Sequence, residues 1–152
     1  MEDKKYLFNK INEDLKKAIK NKDSVRLSCL RMLKTAIKRL QVEKGHELDN
    51  DEIIGVIYSL IKKGGEAIEN FKRGGRDDLV SKEEKEIKIF REYLPKQLTL
   101  QEIEEIVREV ISEIKATSIK DLGKVMKTAM SRIGVRAQGK DVSEVAKKLL
   151  KE

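Results

Sequence analysis

The chain has 152 residues, 40% of them charged and 39% hydrophobic, enough for one domain or for a domain with a small appendage. One Cys (Cys29) excludes an intramolecular disulfide, and one Cys with one His (His46) cannot build a Cys/His zinc cage. The net charge of +7, carried as +5 up to Leu98 and +2 beyond it, suits an anionic partner such as RNA. The alternative is a highly charged helical protein whose excess lysine is simply solvated.

Apolar residues recur at helical spacing from end to end, and the near absence of proline and of alternating β-branched runs disfavours strands. The first predicted helix carries Phe8, Ile11, Leu15, Ala18 and Ile19 on one stripe. Asp23 or Ser24 caps a second, with Leu27, Leu30, Leu33, Ile37 and Leu40, which Gly45 stops. Asp49 or Asn50 caps a third, with Ile53, Ile54, Ile57, Leu60, Ile61, Ile68 and Phe71. Gly64-Gly65 interrupts that stripe, either for close packing or for a kink. Gly74-Gly75 ends it, and Asp77 or Asp78 opens a fourth helix with Ile87, Phe90, Tyr93 and Leu94 inward, closed by Pro95.

The pattern then restarts. Thr99-x-x-Glu102 is a capping box for a fifth helix, Ser118-x-x-Asp121 caps a sixth, and Asp141-x-x-Glu144 starts a seventh. The expected fold is all-α: a four-helix N-terminal domain over residues 1–96 and a compact three-helix C-terminal bundle over residues 97–152. The longest uncharged apolar run, Ile53–Ile61, is short of the roughly 20 residues of a membrane span. With no secretory signal visible, a cytoplasmic protein without membrane contact is expected. The Lys/Glu/Ile-rich, Gln- and Asn-poor usage resembles that of a thermophile.

Candidates for chemistry are few. No phosphate-binding Gly-x-Gly-x-x-Gly or Walker loop occurs. Lys72-Arg73-Gly74-Gly75-Arg76 could offer amides and charge to a phosphate, or be an ordinary solvated turn. Around the sixth and seventh helices, Lys124, Lys127, Arg132, Arg136 and Lys140 accompany Gly134 and Gly139. Glycine lets backbone approach a phosphate chain while cations supply the attraction. The last 59 residues hold no aromatic side chain, so an RNA contact there would read backbone and shape rather than stack bases. His46 reads as a loop histidine, Cys29 as a small buried residue, and Met126 with Met130 as core filler. The runs Glu83-Glu84-Glu86 and Glu102-Glu104-Glu105 read as first-turn acids favouring the helix dipole. No catalytic residue, metal site or cofactor is expected.

Five pieces resemble the GatB/YqeY family in order and spacing. They are Arg31-Met32-Leu33-Lys34, Gly75-Arg76-x-Asp78-Leu79, the Glu84–Glu86 helix start, Glu92-Tyr93-Leu94-Pro95-Lys96-Gln97-Leu98 and Leu122-Gly123-Lys124-Val125-Met126. The chain departs from the family pattern twice. Gly64 stands two positions after Lys62, where an Arg is frequent, and Gln138 replaces the acid of the turn ending at Gly139. The resemblance implies an all-α protein similar to the tail of the tRNA-dependent Asp/Glu amidotransferase B subunit, where that tail contacts tRNA. The catalytic regions of that enzyme have no counterpart here, so a carbon–nitrogen ligase label with glutamine as amide donor reads as inherited.

The first expectation is therefore a non-catalytic tRNA-binding protein, or an adaptor for a tRNA-handling enzyme, working through Gly123, Lys124, Lys127, Arg132, Arg136, Gly139 and Lys140. One alternative is a protein–protein adaptor with no RNA contact, which a large exposed apolar patch on the second and third helices would favour. The other is an accessory to amide-forming ligase activity.

Overall fold

The computed structural model describes residues 4–151, and the helical periodicity produces an all-α chain with no strand among them. The α-helices run α1 (Tyr6–Lys20), α2 (Ser24–Lys44), α3 (Asn50–Arg73), α4 (Asp77–Arg91), α5 (Leu100–Ile114), α6 (Leu122–Ile133) and α7 (Gly139–Leu150). Short 3-10 turns at Ile119–Asp121 and Gly134–Arg136 precede and follow α6. The chain divides after Leu94 into two compact units.

In the first unit, α1 buries Leu7, Ile11 and Ala18, whereas Ile19 is 53% exposed. The inward stripe thus begins at Leu7 rather than Phe8. Asn50 at the start of α3 fixes that register, its side-chain oxygen accepting from the Leu7 N–H at 3.0 Å. Asp23 caps α2 by accepting from the Arg26 N–H at 3.2 Å, and Gly45 ends the helix in the left-handed conformation at φ 76°. Asp49 and Glu52 form a reciprocal capping box at the start of α3.

Helix α3 runs unbroken through Gly64-Gly65. A Cβ on Gly64 would lie 3.0 Å from both Cγ1 and Cδ1 of Ile87, so Gly64 serves the close approach of α3 and α4 and not a kink. Helix α4 starts at Asp77 behind Arg76, with no side-chain cap, and Asp77 and Asp78 occupy its first turn. Glu83, Glu84 and Glu86 therefore lie in the body of α4, which corrects the first-turn reading. Glu86 faces inward at 6% exposure, and burial followed by the nearby Glu83 charge pushes its carboxyl up.

The second unit closes around Ile103, Val107 and Val110 of α5, Val125, Ala129 and Ile133 of α6, and Val142, Ala146 and Leu150 of α7. Fully burying side chains of this size contributes about 1.5–3 kcal/mol each for the larger ones. Thr99 and Glu102 form the expected capping box of α5. The Ser118–Asp121 box forms too, but it opens the 3-10 turn that leads into α6. Helix α7 begins at Gly139 behind an extended Gln138, so Asp141 is a first-turn acid and not the cap.

Candidate nucleic-acid interface

All seven residues assigned to an RNA contact are exposed. They do not form one cluster. Gly123, Lys124 and Lys127 sit at the start of α6, while Arg132, Arg136, Gly139 and Lys140 surround the connection beyond its C-terminal end. At 100° per residue, Gly123, Lys124, Lys127 and Ser131 share the sector of α6 opposite Val125, Ala129 and Ile133. This outer face carries no apolar side chain.

The two arginines already have work within the unit. Arg132 pairs with Glu113 of α5, and its guanidinium holds that carboxyl below the usual carboxylate range. Arg136 turns back on the end of α6, donating from Nη2 to the Arg132 carbonyl at 2.8 Å and from Nε to the Ile133 carbonyl at 3.2 Å. These are carbonyls that a helix C-terminus leaves unsatisfied, so Arg136 acts as its cap. Gly134, at φ 59° and ψ −129°, turns the chain there through a conformation other residues avoid.

The lysines differ. Among the described residues no hydrogen bond or salt bridge engages the side chain of Lys124, Lys127 or Lys140. Asp121 lies near Lys124, but the Thr117 and Ser118 amides donate to its carboxylate and lower its pKa. Gly123 and Gly139 are equally uncommitted: a Cβ at either position would meet nothing within 4 Å. Packing within the chain therefore does not require glycine there.

The remaining motif residues are structural. At the end of α4, Glu92 accepts from Arg26 Nη1 and Nη2 at 2.7 and 3.3 Å, and Tyr93 donates its hydroxyl to Asp14 of α1 at 2.6 Å. Within the second unit, Gln97 donates to the Pro95 and Val135 carbonyls at 2.8 and 3.3 Å, and the Leu98 N–H donates to Arg136 at 2.8 Å. The Tyr93-Leu94-Pro95 segment and its flanks thus pin the edges of both units, each to its own unit. Periodicity alone gives no sign of the Asp14 and Arg26 partners.

Arg76 and Asp78 pair with each other at 3.1 Å, which engages one of the three cations flanking the Gly74-Gly75 turn. Gly75 adopts φ 68°, and Arg31 is exposed on α2. Cys29 is fully buried, and burial pushes its thiol up to about 12, far from a reactive thiolate. His46 is an exposed turn residue whose Nδ1 donates to the Glu47 carbonyl at 2.8 Å. Among the described residues no group of three His, Cys, Asp or Glu side chains is placed to hold a metal ion, and no helix is long and apolar enough to cross a membrane.

Residues 8–150 match the family described as Yqey-like protein. The chain is 34% identical over 112 residues to altered inheritance of mitochondria protein 41, mitochondrial, of Lachancea thermotolerans, covering 71% of this chain and 59% of that one. It is 32% identical over 109 residues to the protein of the same name from Kluyveromyces lactis, covering 69% and 58%. The match thus spans less than two thirds of these relatives' length. Their names overturn the cytoplasmic expectation, since both are named as mitochondrial proteins. That expectation rested on there being no visible secretory signal, and the lack of that one kind of signal does not choose among the remaining compartments.

Proposed function

The chain belongs to the Yqey-like protein family, and we propose that it is a non-catalytic RNA-binding adaptor whose second unit meets the backbone of folded tRNA. The outer face of α6 is the observation that carries this reading. There Lys124 and Lys127 project one turn apart beside Gly123, without an apolar residue and without an engaged carboxylate. Such a face suits phosphates, and an uncrowded glycine lets a sugar–phosphate chain come against the helix backbone. Lys140 in the first turn of α7 adds a third uncommitted cation, so the contact rests on the lysines and not on Arg132 and Arg136.

The absence of aromatic side chains from this unit favours shape over base identity as the property recognised. No chemical step is assigned to the chain, because its thiol is buried and protonated and its imidazole lies in a surface turn. The mitochondrial relatives support a mitochondrial setting for the role.

The test is equilibrium binding to folded tRNA across a salt series, with duplex DNA alongside. The expected outcome is preferential tRNA binding whose log–log salt slope falls by about three in a Lys124→Ala/Lys127→Ala/Lys140→Ala variant, about one per lysine. Equal affinity for tRNA and duplex DNA, or an unchanged slope in the variant, would overturn the proposal.

A further inference from the structure

The first unit carries a surface that the RNA reading does not use. Between α2 and α3 lies a groove of about 460 Å³ floored by Ala36, Leu40, Val56 and Leu60. Further towards the start of α2, a second groove of about 320 Å³ lies against α4 and includes Val25, Ser28, Ser81 and Lys85. At 100° per residue, Val25, Met32, Ala36 and Glu43 fall on one side of α2, so both grooves open along the same stripe. Met32, 42% exposed, lies on that stripe between the two grooves, and Val25, 41% exposed, is the apolar residue of the second, whose other lining is polar or charged. From Val25 to Glu43 it is about 27 Å long at 1.5 Å per residue, the length of a helix of about 18 residues.

The rim has a sign. Arg39, Lys63, Lys82 and Lys85 stand around the two grooves against Glu43 and the inward-facing Glu86, whose carboxyl burial pushes up, while Lys44 is engaged by Glu52 at 2.7 Å and Asp78 by Arg76. Gly55 lies on the wall of the larger groove, where a Cβ would meet nothing within 4 Å. A small residue at that place leaves room for another helix backbone.

We propose that the α2 stripe and its flanking grooves form a docking site for an amphipathic helix of a partner protein, with its apolar face on Val25, Met32, Ala36, Leu40, Val56 and Leu60 and acidic residues along its edges. An apolar floor with cationic rims matches an acidic amphipathic helix lying in a groove, and anchors at helical spacing give it register. RNA matches it less well, since neither groove offers an aromatic platform and burying these aliphatic side chains would gain nothing from a phosphate chain.

Binding to the full chain is measured by fluorescence anisotropy with two labelled 18-residue helical peptides that share one leucine stripe, one flanked by glutamate and one by lysine. The glutamate peptide should bind at least tenfold tighter than the lysine peptide. Gly55→Trp, which fills the groove from an exposed position, should weaken it at least tenfold while circular dichroism and melting stay unchanged. Arg39→Glu with Lys63→Glu should invert the preference between the peptides. The proposal is overturned if the glutamate peptide does not bind, if both peptides bind alike, or if binding survives Gly55→Trp in a folded variant. It is equally overturned if tRNA displaces the peptide, or if light scattering shows a dimer of this chain that Gly55→Trp splits. The Lys124/Lys127/Lys140 variant serves as a control that should bind the peptide normally, which separates failure here from failure of the RNA reading.

Discussion

Replacing Tyr93 with phenylalanine asks whether the family motif at the end of α4 holds the fold or meets a ligand. The substitution keeps the ring in its buried site and removes only the hydroxyl that donates to Asp14 at 2.6 Å. A hydrogen bond to a charged group contributes about 1.5–3 kcal/mol. The lower end applies here, because the Asp14 side chain is 21% exposed, keeps Lys10 at 3.8 Å and can be rehydrated. Arg26 loses its approach to the hydroxyl but retains Glu92, so the ion pair of the second tie is left in place. A loss of about 1.5 kcal/mol corresponds to a drop of roughly 6–12 °C in the melting of a domain of 60–100 residues. Differential scanning calorimetry of the full chain should show that drop in the transition of the first unit, while tRNA affinity stays unchanged. In a cycle with Asp14→Ala, which removes the acceptor, the double variant should lose less than the sum of the two single losses, because both single changes break the same bond. An unshifted transition together with weakened RNA binding would refute the structural reading of Tyr93.

Two further substitutions probe the first unit. Burial and Glu83 raise the Glu86 pKa, so the stability associated with its neutral form is complete below the unfolded carboxyl value of about 4.3 and is lost as pH rises through the folded value. Glu86→Gln should therefore match the parent near pH 4 and exceed it in urea midpoint at pH 7, and an equal gap at both pH values would contradict the assignment. The adjacent glycines of α3 should respond in opposite directions in the same urea assay. Gly65→Ala should gain up to about 1 kcal/mol, since no neighbour lies within 4 Å of its Cβ position, whereas Gly64→Val should lose about 1–3 kcal/mol by overpacking against Ile87.

The parts of this molecule that depend on residues three or four apart were legible in its sequence. Thr99 with Glu102 and Asp49 with Glu52 form their capping boxes because donor and acceptor are brought together by one turn of helix, whatever surrounds them. First-turn acids misled the reading at Asp77 and Asp141, because an acid stabilises the first turn as well as the cap and leaves the same residue type at either place. What needed the third dimension was not visible. Tyr93 finds Asp14 across 79 residues, and Glu86 is buried only because α4 packs on its neighbours. In the candidate interface the residue types were legible but their commitments were not: Arg132 and Arg136 read as two more cations until Glu113 and the end of α6 are seen to occupy them.

Net charge is a poor guide to which unit meets which partner. The first part of the chain carries +5 and the second +2, yet exposed charges act over a Debye length of about 8 Å at physiological salt, so the local surface decides. Helix α2 is the more basic element, with Arg31, Lys34, Lys38 and Arg39, but its outward face also presents Met32 and a Val42 that is 83% exposed. Desolvating those aliphatic groups is useful only against another apolar surface. The outer face of α6 has the opposite character, with two lysines, a serine and a glycine and nothing apolar to cover. A phosphate backbone gains its affinity from released counterions and loses nothing by leaving such a face hydrated. The two most cationic helices among the described residues are thus suited to different partners: α2 to an acidic helix that brings its own apolar stripe, α6 to a polyanion that brings none.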